Sequence, residues 1–418
     1  MDNLRKIGYS DKVFQYKPSR NLRIRVLLRK PLELDRLKDA VAAALDDFEE
    51  YKVAPVKCGS DIFYEKNNRE IAFFPDDDTK RYFGSEELNG YLFYILYGTS
   101  SFMLSIFHGL TDFKGMWAFL RDIIYRYALN TGLDVPDIKI QDEPLNDEER
   151  YDPYSFFADA DAEEVIPPVS GNTFFVPSEN KYPEDLNVQH EYTLTVSASG
   201  FLAMTREWKS SASCALAAII TNSLAKLYDT GDNEILLKIT CDMRPVFESH
   251  SRVNMSEAVL LISDKDLRNA PLSEHCTALT KMMRSQFNRE TFSKFMAYAV
   301  EEVKVKSGEK ETADIVFPKP KLTYVLTYPG RMDLPEEYNV LVSDFELKGY
   351  FPIDSIRFTI KSTGDELRIG IDQVFDGNEI IKAIAESFRE LGFVTEIKDE
   401  GRFGGDGYSL DLIREIQA

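Results

Sequence analysis

Imidazole is the side chain best suited to moving a proton near neutral pH, because its ordinary pKa lies near ~6.5. The chain carries four histidines, His108, His190, His250 and His275. Only His108 is flanked by a long apolar run, SFMLSIF, and Asp112 follows four residues later in HGLTD. Two readings of His108 stand on the residues alone. It is a hydrogen-bonded structural residue at the end of a buried strand, or it is a general base that takes a proton from a hydroxyl or amine. Asp112 would then hold the turn by pairing with a cation rather than by touching substrate.

The elements that position this pair can be read from periodicity. Ser101–Phe107 is apolar on both faces, as a buried strand is. Trp117, Leu120, Ile123, Ile124 and Tyr127 recur at helical spacing after it, with Asp112 near the helix start. Upstream, Asn21–Arg29 alternates as a strand with one apolar and one mostly basic face, and Pro31 ends it. A helix over 34–48 follows, with Leu37, Val41 and Leu45 on one face. Short strands are expected over 53–64 and 70–74, with a turn at Cys58-Gly59-Ser60. Residues 1–20 read as a leader with aromatic anchors Tyr9, Phe14 and Tyr16.

Over residues 130–190 periodicity gives way to Asp, Glu and Pro, and the stretch reads as a surface crossover between two halves. The second half opens on the strand His190–Val196. It continues with a helix over 213–227 rich in small residues and the strand Glu234–Thr240, which runs into Cys241-Asp242-Met243-Arg244-Pro245. A long helix, or two, is expected over 272–297, with Met282, Met283, Phe287 and Phe292 in the core. Residues 301–312 are charged. A strand over 321–329, a strand pair over 355–361 and 366–374, and a helix over 379–391 close the chain. The glycines of the tail resemble no phosphate loop.

His108-Gly109-Leu110-Thr111-Asp112 resembles the H-x-x-x-D core of the chloramphenicol acetyltransferase-like acyltransferases. That superfamily includes alcohol acetyltransferases and the condensation domains of peptide synthetases. Similar support comes from Asp112 and Gly115 as D-x-x-G, from Leu28-Arg29-Lys30-Pro31-Leu32, and from Phe48-Glu49-Glu50-Tyr51. Downstream, Glu143–Glu149, Leu326-Thr327-Tyr328-Pro329-Gly330 and Met332-Asp333-Leu334-Pro335-Glu336-Glu337 resemble stretches of the bacterial alcohol-acetyltransferase-like branch, in the same order.

The resemblance implies an α/β fold of two similar halves, each a mixed sheet flanked by helices, with a tunnel between them. Residues 1–185 would be the N-terminal half with the motif and the acidic crossover, and 186–418 the C-terminal half. It implies acyl transfer from a coenzyme A thioester to a hydroxyl or amine of a small acceptor. His108 would be the base, Asp112 its motif partner and Thr327 the donor to the oxyanion. Arg244 would pair with Asp112, and Asn254 would help structure the site; the alternative reading of Arg244-Pro245 is a strand cap at the surface. Phe113 and Tyr328 would line the substrate tunnel. Phe107 and Phe113 depart from the family's H-H-x-x-x-D-G, the latter filling space that a glycine leaves open. The resemblance implies acyl-CoA as co-substrate and no tightly bound cofactor. Two alternatives accompany it: condensation on carrier-protein-bound thioesters, and a non-catalytic binding protein on the same scaffold.

Composition bounds these readings. A formal charge of −20 disfavours nucleic acid and anionic membrane as partners. No apolar run is long enough for a membrane span. Cys58, Cys214, Cys241 and Cys276 show no metal spacing, so neither a metal nor a disulfide framework is expected and a reducing, cytoplasmic setting is.

Overall fold

The structure is a computed structural model, and it describes residues 4–6, 21–59, 61–138, 147–151, 153, 172–176, 182, 188–294, 296–297, 322–350 and 356–416. The expected anchors Tyr9, Phe14 and Tyr16, most of the acidic crossover and the charged stretch 301–312 lie outside the described residues.

Two sheets organise the molecule. The first is five-stranded. In chain order it uses β1 (Asn21–Leu28), β2 (Phe73–Pro75), β3 (Phe93–Tyr97) and β4 (Ser101–Phe107). Their apolar faces meet helices α1 (Leu34–Asp46) and α2 (Phe113–Asn130). α1 offers Leu37, Val41 and Leu45, and α2 offers Met116, Phe119, Leu120, Ile123 and Ile124, all buried. Each large side chain so buried stabilises the fold by about 1.5–3 kcal/mol, so packing rather than intrinsic propensity holds these helices. β4 is buried on both faces beyond Ser101, as its sequence requires.

The second sheet is seven-stranded. It contains β5 (Val188–Ser197), β6 (Ile235–Asp242), β7 (Ser256–Ser263), β8 (Tyr324–Thr327), β10 (Ile356–Thr363), β11 (Glu366–Gln373) and β12 (Glu396–Gly404). The spatial order is β7-β6-β8-β10-β11-β5-β12, with β6, β8 and β10 parallel and the other neighbours antiparallel. Helix α3 (Ala212–Tyr228) packs between α4 (Leu272–Gln286) and α5 (Glu379–Glu390) on one face. Ala215, Ala217 and Ala218 are fully buried and let it approach closely. The expected helical stretch over 272–297 is two pieces, because the chain bends at Phe287 and Asn288 before re-entering helix.

The sheets do not follow a division of the chain at 185/186. A strand that periodicity did not flag, β9 (Val342–Tyr350), leaves the second half and adds to the edge of the first sheet, antiparallel to β1 from Val342↔Leu28 to Tyr350↔Asn21. Met332, Tyr338, Leu341 and Phe345 enter the first core with it. The tail returns as well: Tyr408 and Ile413 are buried in the first core, and the Asp406 carboxylate accepts from Asn21, Tyr94 and Ser105. The segment 186–418 therefore builds one lobe and completes the other. The expected strand over 70–74 is Phe73–Pro75, set by its parallel pairing with β3.

Candidate active site

The His108 turn lies where the lobes meet. Strand β4 ends at Phe107, and α2 begins at Phe113 with Asp112 as its N-cap, accepting from the Gly115 amide at 3.1 Å. Between them the chain folds tightly. A Cβ on Gly109 would stand 2.3 Å from the Phe107 ring. Phe107 itself stacks on Tyr408 of the returning tail, with ring centroids 4.8 Å apart.

Asp112 and Arg244 form a closed ion pair across the seam. The carboxylate is 3% exposed. It accepts from Arg244 Nη1 at 2.9 Å and Nη2 at 3.1 Å, and from the Met255 amide at 2.8 Å. Arg244 spends its remaining N–H groups on Asp242 Oδ1 at 2.9 Å, Ser251 O at 2.6 Å and Val253 O at 2.8 Å, so all five are used. Burial pushes the Asp112 carboxyl up, but the Arg244 charge and the four hydrogen bonds bring it below the ordinary carboxylate value. The adjacent carboxylates in turn hold the guanidinium above its ordinary value against burial. The sequence places Arg244 at the end of β6, and the short helix Arg244–Phe247 turns it towards the first lobe.

His108 is half-buried, and its Nδ1 lies 2.9 Å from the Thr111 carbonyl. Asn254 Nδ2 lies 3.4 Å from the same nitrogen and donates to the His108 carbonyl at 3.1 Å. The Asn254 amide is oriented by its Oδ1, which accepts from the Ser256 amide at 3.0 Å and hydroxyl at 2.8 Å. The two contacts at Nδ1 ask for opposite tautomers. The carbonyl contact is the shorter, a carbonyl can only accept, and the Asn254 amide makes its shorter contact, 3.1 Å, to the His108 carbonyl. The neutral ring therefore carries its proton on Nδ1 and its lone pair on Nε2.

Of the other sequence-derived candidates, Thr327 ends β8, half-exposed, with its hydroxyl 3.1 Å from that of Thr240 on β6. Tyr328 follows it and packs against the second core. Phe113 opens α2 and stacks on Trp117 with centroids 6.5 Å apart, and Trp117 meets Phe345 of β9 edge-on at 5.1 Å. The structure thus brings His108, Asp112, Arg244 and Asn254 into one hydrogen-bonded cluster. Thr327 and Tyr328 stand on a neighbouring strand end, and Phe113 stands one residue beyond the cluster on its own lobe. The other histidines are elsewhere: His190 between Asp376 and Asp399, His250 beside Glu149, and His275 buried against Ser263 and Asn222.

Two partners of the turn, the Tyr51 hydroxyl and the Arg252 carbonyl, had no role assigned from the sequence. The Tyr51 hydroxyl reaches Thr111 Oγ1 at 2.8 Å and Arg252 O at 2.9 Å, and Thr111 Oγ1 donates to Arg252 O at 2.6 Å. A Cβ on Gly115 would lie 1.9 Å from Arg252 O, so the D-x-x-G glycine marks where the second lobe's backbone touches the helix. Among the described residues no cluster of His, Cys, Asp and Glu could hold a metal, and no helix is long and apolar enough to cross a membrane.

Two lobes of mixed sheet and helix, tied by an exchanged strand, define the chloramphenicol acetyltransferase-like fold. The chain is similar throughout to polyketide synthase associated protein 5 from Mycobacterium tuberculosis, with a TM-score of 0.64 and 16% identity over 91% of this chain and 96% of that one. TRI101 of F. sporotrichioides, solved with coenzyme A and T-2, matches at TM-score 0.63 and 11% identity, covering 94% of this chain and 99% of that one. The condensation domain of the monacolin K polyketide synthase MokA matches at 0.61 and 13%, over 93% and 96%. No family model and no curated protein matches the sequence.

Proposed function

We propose that the protein transfers an acyl group from a coenzyme A thioester to a hydroxyl or amine of a small acceptor. The observation that carries this reading is the contact at His108: its Nδ1 lies 2.9 Å from the Thr111 carbonyl, so in the neutral ring the basic lone pair is on Nε2. That a structure of this fold holds coenzyme A supports the donor class.

In this mechanism Nε2 takes the acceptor proton as the oxygen or nitrogen attacks the thioester carbonyl. The tetrahedral oxyanion is met by the Thr327 hydroxyl, a contribution typically of about 10²–10³ in rate. The hydroxyl pair with Thr240 leaves Thr327 a proton to donate when Thr240 supplies the proton between them. Collapse breaks the carbon–sulfur bond, and the imidazolium returns its proton to the leaving thiolate. Asp112 and Arg244 do not touch the reacting atoms in this scheme; they hold the turn. Positioning of both substrates supplies much of the rest. Carrier-bound thioesters are the second donor class to try, because the MokA condensation domain shares the fold.

The test is to incubate the protein with a pool of acyl-CoAs and mixed alcohols and amines, following free thiol and product mass. Thiol release coupled to a new ester or amide, lost in His108→Ala, supports the proposal. Absence of acylated product from both CoA-bound and carrier-bound donors would turn the reading towards a binding protein.

A further inference from the structure

The His108 tautomer is fixed by a carbonyl, and that carbonyl belongs to a residue whose side chain is held by the other lobe. Thr111 is fully buried and bonds in two directions. Its main-chain oxygen accepts from His108 Nδ1 at 2.9 Å, while its hydroxyl donates to Arg252 O at 2.6 Å. Tyr51, also fully buried, lies within hydrogen-bond distance of both ends of that second bond, at 2.8 Å from Thr111 Oγ1 and 2.9 Å from Arg252 O. Burial keeps the Tyr51 phenol neutral, and Glu50 adds to this, so it remains a donor.

The loop that brings Arg252 is itself anchored on the first lobe. The Arg252 guanidinium lies 4.2 Å from the Phe48 ring centroid and 3.4 Å from Glu50 Oε1. Two residues on, Asn254 holds the His108 carbonyl at 3.1 Å. The 252–254 loop thus grips the histidine turn at two points, through the Arg252 carbonyl and the Asn254 side-chain amide.

From this arrangement we infer that Tyr51 and Thr111 are positioning residues forming a seam latch, through which docking of the second lobe sets which nitrogen of His108 is basic. The latch rests on the acyl-transfer reading for its consequence but not for its existence. With the Arg252 carbonyl in place, the Thr111 peptide is held with its oxygen towards Nδ1, and the lone pair is on Nε2. Without it, the Thr111 peptide is released, and the imidazole proton distributes between the nitrogens. A base in the wrong tautomer is catalytically silent even where the fold is intact.

The experiment is nitrogen NMR of protein labelled with ¹⁵N-histidine, at a pH above the imidazole titration, with His108→Ala assigning the His108 signals. Wild type should show a protonated Nδ1 and a pyridine-like Nε2. Thr111→Val keeps the shape and removes the hydroxyl; it should move the His108 shifts towards averaged values and lower kcat by about 10-fold or more, with KM for acyl-CoA within about twofold. Thr111→Ser should restore both. Tyr51→Phe, which removes one oxygen from an otherwise unchanged ring, should shift the tautomer in the same direction and serves if Thr111→Val fails to fold. Wild-type tautomer signals in Thr111→Val and Tyr51→Phe would overturn the latch. Because the spectrum needs no turnover, absence of acyl transfer would refute the proposed function and leave the latch to be judged on the spectrum.

Discussion

Replacing Arg244 with methionine should be among the most damaging single changes at the seam, and its cost can be worked from the contacts. The substitution removes two of the four donors to Asp112 and leaves a carboxylate of 3% exposure without its cation. Breaking a buried pair from one side costs about 3–5 kcal/mol. The cost should also change with pH. In wild type, burial raises the Asp112 pKa but Arg244 and the hydrogen bonds outweigh it, so the folded value lies below the ordinary one. Such a group contributes stability above its unfolded pKa, near ~3.9, and the contribution fades as pH falls through the folded value. In Arg244→Met burial prevails, the sign reverses, and stability falls as pH rises through the raised value. The gap between variant and wild type should therefore widen as pH rises above the unfolded carboxylate value, near ~3.9. Urea unfolding followed by tryptophan fluorescence reads this, with Trp117 in the helix that Asp112 caps. Asp112→Asn combined with Arg244→Met removes both charges and should cost at least ~2 kcal/mol less than the sum of the singles. A single-variant loss below ~1 kcal/mol at neutral pH, or additive singles, would refute the reasoning.

Gly115→Ala places a methyl 1.9 Å from Arg252 O and 2.2 Å from Thr111 Oγ1, so it should cost at least ~2 kcal/mol in urea unfolding. Wild-type stability would show that the seam yields more readily than its contacts imply. Glu191 pairs in register with Asp372 and lies 3.3 Å from Lys348. Burial first, then the Asp372 charge, raise its pKa to about 8 against the pull of Lys348. The protonated acid thus stabilises the fold fully below its unfolded value near 4.5, and that stability is lost as pH rises through about 8. Glu191→Gln should flatten this decline, and an unchanged pH–stability curve would argue against a protonated Glu191. Phe113→Gly should open room beside the turn and shift acyl-CoA preference towards longer chains in the thiol assay; an unchanged preference would place Phe113 outside the donor path.

The local elements were largely legible. Strand β4 declared itself by apolarity on both faces, and α2 by its spacing and the Asp112 cap. The pairing of Asp112 with Arg244 was expected from the family resemblance, and a bidentate cation suits a buried carboxylate; the residues alone left Arg244-Pro245 open as a strand cap. What escaped was long-range. Nothing in VSDFELKGY says that its hydrogen-bonding partner is β1, more than 300 residues upstream. Likewise Tyr51 is visible as part of F-x-x-[YF], but its partner is a main-chain oxygen at 252, which carries no side-chain signature. Asp406 read as part of a glycine-rich tail, and only the returning fold reveals it as a buried acceptor.

His108 is proposed as the base of a thioester-consuming reaction. The most direct measurement compares wild type with His108→Ala for acyl-CoA-dependent thiol release with a productive acceptor, alongside calorimetric binding of coenzyme A. Coenzyme A affinity should be unchanged and the rate lower by about 10²–10⁴ in the variant. Undiminished release by His108→Ala, with coenzyme A still bound, would contradict that role.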